Sequence, residues 1–271
     1  MLICPVCSRP LTVGEKSARC EAGHSFDRAK EGYFNLLLSS SAGGHGDDKP
    51  MLVSRRAFLE KGYYAHLLEA LKDVCLEHFE KDCTLVDAGC GEGYYTDSIC
   101  RALTEKTERV NFFAFDIAKD AAKMVAKKMG RSATVFVSSA YRMPLADESA
   151  DGILSLFAPF AREEYLRVLK PGGLLIRAYP LEDHLFELKK AVYDHPLKNA
   201  AVSDSGEGWE SVKEIRIRKR LELNSNEDIV ALFGMTPYAH KTSEQDRNKL
   251  NALTKLSVET DFGVGVYRKK F

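Results

Sequence analysis

Leu85-Val86-Asp87-Ala88-Gly89-Cys90-Gly91-Glu92-Gly93-Tyr94-Tyr95 is the stretch that decides the fold. The apolar run from Thr84 to Val86 reads as a buried strand, the glycines follow at once, and a helical pattern runs from Tyr94 to Leu103. Strand, glycine-rich turn and helix together bring backbone N–H groups up to a ligand at a helix N-terminus. The spacing is G-x-G-x-G rather than G-x-G-x-x-G. A second strand, Val110 to Phe115, ends in Asp116. An acidic residue about 20 positions past the glycines suits the two hydroxyls of a ribose. The strand, the helix and Asp116 together point to a nucleoside-containing ligand, whereas a glycine cluster alone would be only a tight turn.

Asp87 precedes the first glycine, at the C-terminal end of its strand. A carboxylate there repels a pyrophosphate and attracts an ammonium group, which argues against a dinucleotide dehydrogenase. The Asp-x-Gly-x-Gly-x-Gly form resembles the first motif of class I methyltransferases, which bind S-adenosylmethionine. Beyond Thr84 the chain alternates strand and helix, the pattern of a doubly wound parallel sheet. Strands are expected near 84–88, 110–115, 133–137, 151–156 and 173–179, with Lys170-Pro171-Gly172-Gly173 as the turn into the fifth. Residues 211–223 alternate apolar with basic (Arg216, Arg218, Lys219, Arg220), as a strand with one wet basic face would. Leu256 to Tyr267 reads as its antiparallel partner.

The first 38 residues form a separate unit. Cys4-Pro5-Val6-Cys7, Cys20 and His24 give C-x2-C-x12-C-x3-H, the spacing of a tetrahedral zinc site built from two short turns. A redox C-x-x-C would leave Cys20 and His24 unexplained. With four protein ligands the metal is closed to substrate and structural, and it supplies fold to a unit too small to bury a core of its own. Cys75, Cys83, Cys90 and Cys100 lack ligand spacing and read as small core residues.

Residues 39–52 are expected to be a flexible linker, since Ser39 to Lys49 is polar and Gly-rich. His45 and Asp47 within it are read as solvated rather than metal-binding. The domain that follows spans 53–271. Arg55-Arg56 opens one helical pattern and Tyr64 to His78 forms a second, with Leu67, Leu68, Leu71 and Val74 at helical spacing.

The 271 residues are 45% hydrophobic, enough for one sizeable core plus an appendage. Lys and Arg (39) balance Asp and Glu (39), so a polyanion partner needs a local patch. In the first unit Arg9, Lys16, Arg19, Arg28 and Lys30 are nearly offset by Glu15, Glu21, Asp27 and Glu31. No apolar run approaches the length of a membrane span. Met1-Leu2-Ile3-Cys4 carries no basic and apolar leader, so the seven cysteines are expected as thiols or ligands in a reducing cytoplasm.

CPVC (4–7), CEAGHSFDRAKEGYFNLL (20–37), RRAFLEKGYY (55–64), VDAGCGEGYYT (86–96), FAP (157–159), KPGG (170–173) and MTPYAHK (235–241) together resemble the RlmA (RrmA) family. These are zinc-containing class I methyltransferases that methylate N1 of a guanine in a hairpin of 23S rRNA. The resemblance implies the Rossmann-like fold with a small zinc ribbon, and a ribbon that recognises the rRNA hairpin. It also implies donor contacts from Tyr64, Asp87, Gly89, Gly91, Gly93, Tyr95, Thr96, Asp116, Ser139, Ala140 and His184. Ser139 stands where many relatives carry aspartate. The methyl acceptor is expected at Phe157, Ala158, Pro159 and Phe160. N1 of guanine must lose a proton, and that loop offers no base; His184 and Asp183 are candidates by location only. A homodimer is a further expectation. Two other readings stay open: a methyltransferase of a small molecule, a protein or another RNA, and a non-catalytic RNA-binding protein.

Overall fold

The computed structural model describes residues 1–38, 46–79, 82–107, 109–201 and 206–270. Two sheets form. The small one joins β1 (Thr12–Val13), β2 (Ser17–Arg19) and β3 (Ser25–Asp27) in antiparallel order. The large one has eight strands. Its centre is β5 (Cys83–Ala88), flanked by β6 (Val110–Asp116) and β7 (Thr134–Val137) on one side. On the other side lie β8 (Ala150–Leu156) and β9 (Leu169–Pro180). β5, β6, β7, β8 and β9 run parallel. β11 (Leu256–Lys269) pairs antiparallel with β9, and β10 (Trp209–Leu223) closes that edge as a hairpin with β11. β9 begins at Leu169 and so takes in the whole of the expected Lys170–Gly173 turn. A register shift opposite Ala150 and Gly152 accommodates the irregular stretch around Gly172, whose φ is +76°.

Parallel strands must be covered on both faces, and the period-2 alternation shows how the chain does it. Leu85, Phe112, Ala114, Val135 and Val137 face one layer. That layer contains buried residues of α1 (Lys49–Glu60), α2 (Ala65–His78), α3 (Tyr94–Lys106) and α4 (Lys119–Met129). Val86, Ala88, Phe113, Phe115 and Phe136 face the other way. There they meet α5 (Arg162–Val168) and, beside it, the N-terminal unit itself: Leu2, Cys4, Leu11, Ala18, Cys20, Phe34 and Leu36.

The N-terminal unit is therefore not a free appendage. β4 (Phe34–Asn35) adds a parallel strand to β7 at the sheet edge, and the Leu36 N–H continues the ladder to the Val137 carbonyl at 3.1 Å. The Ile3 N–H reaches the Pro144 carbonyl at 2.9 Å, and the Ala146 N–H reaches the Met1 carbonyl at 2.8 Å. The expected linker is also shorter at its far end. α1 starts at Lys49, with the Asp48 side chain accepting from the Met51 N–H at 2.9 Å and Pro50 in the first turn. An N-cap followed by proline is a helix start. Residues 39–45, His45 among them, lie outside the described residues. Cys75, Cys83, Cys90 and Cys100 are buried thiols. Among the described residues no helix is long and apolar enough to cross a membrane.

Candidate active site and metal centre

The metal centre is assembled by two tight turns. In the first, the Ser8 N–H donates to the Cys4 carbonyl at 2.8 Å, with Ser8 in the left-handed region. In the second, the Gly23 N–H donates to the Cys20 carbonyl at 3.0 Å. The turns bring Sγ of Cys4, Cys7 and Cys20 and Nδ1 of His24 within 4.8 Å of one another. Cys7 and Cys20 Sγ are 3.7 Å apart, and His24 Nδ1 lies 3.6 Å from Cys4 Sγ and 3.4 Å from Cys20 Sγ. A tetrahedron with Zn–S near 2.3 Å and Zn–N near 2.05 Å has edges of about 3.8 Å (S–S) and about 3.6 Å (S–N). The donor set fits a zinc ion that is structural, because no vertex is left for substrate.

The residues expected to hold a nucleoside gather at the C-terminal ends of β5 and β6. Gly89 has φ +84°, and a Cβ placed on it would lie 2.7 Å from the Ala158 side chain. Only glycine lets the first loop press against the loop after β8, which joins the two expected halves of the site. Asp87 is 1% exposed. Thr96 Oγ donates to its Oδ2 at 2.6 Å, and Oδ1 has no partner. Burial pushes the carboxyl up to about 7; the Thr96 bond opposes this, and the nearby Asp116 and Glu92 carboxylates add to it. A buried carboxylate oxygen without a donor is the mark of a site built for a cation that comes with a ligand. An ammonium group fits it.

Asp116 accepts from the Gly91 N–H at 3.0 Å through Oδ2 and from the Ala118 N–H at 2.8 Å through Oδ1. It thus ties the glycine loop to β6, and each oxygen retains a lone pair for a ribose hydroxyl. Burial, despite those two bonds, raises its carboxyl above the ordinary value. Ser139 Oγ accepts from the Tyr141 N–H at 3.2 Å. Ser139 also lines a cleft of about 530 Å3 between the ribbon and the Ser138–Pro144 segment; Ala140 is half-buried beside it.

Tyr64, Tyr95 and His184 converge on one aromatic cluster centred on the fully buried Phe262. Phe262 lies 5.0 Å from Tyr64, 4.5 Å from His184 and 5.6 Å from Phe157, between ring centroids. Tyr95 lies 6.3 Å from Phe157. The Tyr64 and Tyr95 hydroxyls are buried without partners. His184 Nδ1 accepts from the Asp261 N–H at 3.2 Å, which leaves its proton on Nε2. Burial holds the ring neutral, down to about 3. A neutral imidazole fixed as an Nε2–H donor is not the acceptor of a guanine proton. Asp183 instead pairs with Lys198 at 2.8 Å and Arg218 at 3.5 Å, away from the cluster.

Of the acceptor-loop residues, Phe157 and Phe160 part company. Phe160 packs beside Tyr165 and Trp209, with the Arg177 guanidinium 4.0 Å above its ring. Tyr165 donates to the Pro159 carbonyl at 2.9 Å and so fixes the loop. Phe157 is 44% exposed and sits at φ +58°, a costly conformation for a phenylalanine. An exposed ring held in strain at the mouth of a site is the one suited to stack on a base.

The sequence reading missed three features. The first is Arg55, whose Nη1 lies 2.5 Å from Asp47 Oδ2 and 4.0 Å from Glu92 Oε2 beside the glycine loop. The second is Phe262. The third is a groove of about 610 Å3 lined by Lys49, Arg56, Lys123, Lys127 and Lys128 together with Tyr94 and the acidic Glu60, Glu92 and Asp120. α4 alone supplies its last three lysines at helical spacing, a signal present in the sequence. The arginine stripe that did attract attention is largely neutralised. Arg216 grips the buried Asp261 through two bonds of 2.8 and 2.7 Å, Arg218 pairs with Glu259, and Arg220 lies 3.8 Å from Glu187.

Comparison with known proteins bears on both halves. Residues 2–39 match the family model described as RlmA, N-terminal, and residues 86–177 match that described as a methyltransferase domain. The chain is 33% identical over 231 residues to the 23S rRNA (guanine(748)-N(1))-methyltransferase of Streptomyces fradiae, covering 82% of this chain and 80% of that protein. It is 32% identical over 263 residues to a Micromonospora griseorubida protein provisionally named a 23S rRNA (guanine-N(1)-)-methyltransferase, covering 89% and 87%. Among solved structures, the YcgJ protein of Bacillus subtilis superposes with TM-score 0.52 at 14% identity, over 76% of this chain and 99% of that one. A methyltransferase, so titled provisionally, from Bacillus halodurans C-125 gives 0.50 at 15%, over 74% and 99%. These two likenesses concern the fold alone.

Proposed function

Because this chain belongs to the RlmA family of 23S rRNA (guanine-N1) methyltransferases, we propose that it methylates N1 of a guanine in a hairpin of 23S rRNA. It is an S-adenosylmethionine-dependent methyltransferase with one structural zinc. The observation that carries the substrate is the similarity to rRNA methyltransferases over ribbon and catalytic region together.

S-adenosylmethionine, when bound, supplies an activated methyl group. Asp87 answers its ammonium group, Asp116 its ribose hydroxyls, and Ser139 and Ala140 face its adenine, with Tyr64, Tyr95, Thr96 and His184 around it. The glycines at 89, 91 and 93 let the backbone approach. Phe157 stacks on a guanine that has left its pair, since N1 is hidden in a Watson–Crick pair. The ribbon, residues 1–38, recognises the hairpin. The groove lined by Lys123, Lys127 and Lys128 supports a phosphate track reaching it, because Lys123 also lies 3.5 Å from Glu31 at the ribbon's end. A ribosomal substrate implies a cytoplasmic enzyme. Sedimentation of the purified chain tests the homodimer.

Primer extension across the hairpin tests the reaction. Unmodified 23S rRNA incubated with enzyme and S-adenosylmethionine is expected to give a new stop one nucleotide before a guanine, because a methyl on N1 blocks pairing with cytosine. Methyl transfer without a stop points to N7, ribose or another non-pairing position. No transfer to RNA, from a chain that binds the donor, puts a small-molecule or protein substrate first.

Asp116→Ala is expected to weaken donor binding by about 1.5–3 kcal/mol, the range for hydrogen bonds to a charged group. Calorimetric titration measures it. Unchanged affinity in a folded variant would move the ribose partner elsewhere.

A further inference from the structure

We propose that the Arg55 guanidinium receives the α-carboxylate of the methyl donor, and that Asp47 holds its place until the donor arrives. The inference rests on reading this site as the S-adenosylmethionine site, and it starts from charge. The groups around the glycine loop are mostly acidic: Asp87 and Glu92 are buried, and Asp116 and Asp47 stand beside them. Such a site suits the ammonium and sulfonium of the donor but repels its carboxylate. A cation must therefore face that end. Arg55 lies against the loop: a Cβ placed on Gly91 would be 3.3 Å from its Nη1. Its side chain is only 23% exposed, and its field reaches Glu92, Asp116, Tyr64 and Tyr95. A planar guanidinium is suited to a bidentate grip on a carboxylate.

The present partner of that guanidinium is itself a carboxylate, Asp47 Oδ2 at 2.5 Å. Asp47 belongs to residues 46–48, which run over Ile117 and Ala118, so closely that a Cβ on Gly46 would be 2.7 Å from the Ile117 side chain. These residues directly follow the ribose-binding Asp116. Exchange of one carboxylate for another costs Arg55 no loss of pairing. It couples arrival of the donor to release of the Asp47 contact.

The test is calorimetric titration with S-adenosylmethionine and with its decarboxylated analogue, which lacks only the α-carboxylate. Arg55→Ala is expected to weaken S-adenosylmethionine binding about 10- to 100-fold and to leave the analogue within about twofold. Arg55→Lys should fall between, and it retains the charge if alanine compromises folding. Asp47→Asn removes the competing charge and should tighten S-adenosylmethionine about two- to fivefold, the size of effect a partly exposed ion pair supplies. Equal weakening of both ligands, or of neither, overturns the assignment while leaving the donor site intact. A wild-type chain that binds neither ligand fails at the earlier step, the reading of this site as a methyl-donor site.

Discussion

Cys20→Ser is expected to strip the chain of its zinc and to lower the thermal midpoint of the whole molecule, not only of its first 38 residues. Structural zinc contributes about 10–16 kcal/mol of apparent folding free energy in small metal-binding units, as much as an entire domain's stability. The ribbon's own strands are two or three residues long, so without the metal they have little to hold them. The consequence spreads because Cys4, Cys20, Leu11, Ala18, Phe34 and Leu36 share a core with Val86, Phe113, Phe115 and Phe136. Loosening the ribbon uncovers that face of the central sheet. At about 2–4 °C per kcal/mol for a chain of this size, a loss of about 3–5 kcal/mol lowers the midpoint by about 6–20 °C. Metal analysis should fall from about one zinc per chain to well below it. A variant with full zinc content would sink the ligand assignment. One that loses zinc at an unchanged midpoint would show that the ribbon and sheet are energetically separate, as the sequence alone suggests.

What was legible follows from the range of each signal. β5, the glycine turn, α3 and Asp116 announce themselves within about 30 consecutive residues, and the two cysteine turns within about 20, because local geometry and ligand spacing are written locally. β4 is two residues long and parallel, so it has no periodicity, and its partner Phe136 lies far along the chain. Nothing near Phe34 says that it completes a sheet. The Arg216–Arg220 stripe read as an open basic face because Asp261, Glu259 and Glu187 meet it only through pairing with β11 and the packing of the preceding segment. Arg55 read only as the start of a helical pattern, because its three-quarters burial and its place against Gly91 are products of packing. His184 packs against Phe262 and Tyr64, but whether it is acid or base hangs on a hydrogen bond from the backbone of Asp261, which no sequence pattern encodes.

Asp87→Asn is expected to weaken donor binding by several hundredfold or more while making the ligand-free protein more stable above neutral pH. Both effects come from one unpartnered oxygen. In the ligand-free chain, burial pushes the Asp87 carboxyl up to about 7, with Asp116, Glu92 and the Cys75 and Cys90 thiols among the titratable groups around it. An unfolded aspartate titrates near 3.9. Between these values the folded chain holds the proton and the unfolded chain does not, so stability falls as pH rises from about 4 to about 7. A neutral amide keeps the Thr96 bond and removes that penalty, so thermal melts at pH 8 should favour the variant. Donor binding runs the other way. The ammonium group needs the ionised carboxylate, and leaving such a charge unpaired in a buried site costs about 3–5 kcal/mol. Wild-type affinity should therefore drop as the carboxyl protonates, roughly twentyfold from pH 7.5 to pH 5.5 for a group titrating near 7. The asparagine variant should be weak and nearly flat across the same range. Calorimetric titration at the two pH values reads this directly. If wild type and variant bind alike, or if the wild-type affinity does not change with pH, Asp87 is not the ammonium partner. The orphaned oxygen would then be a structural cost with no return in binding. A melt in which the variant is less stable at pH 8 would mean that the carboxylate has a partner in the folded chain after all.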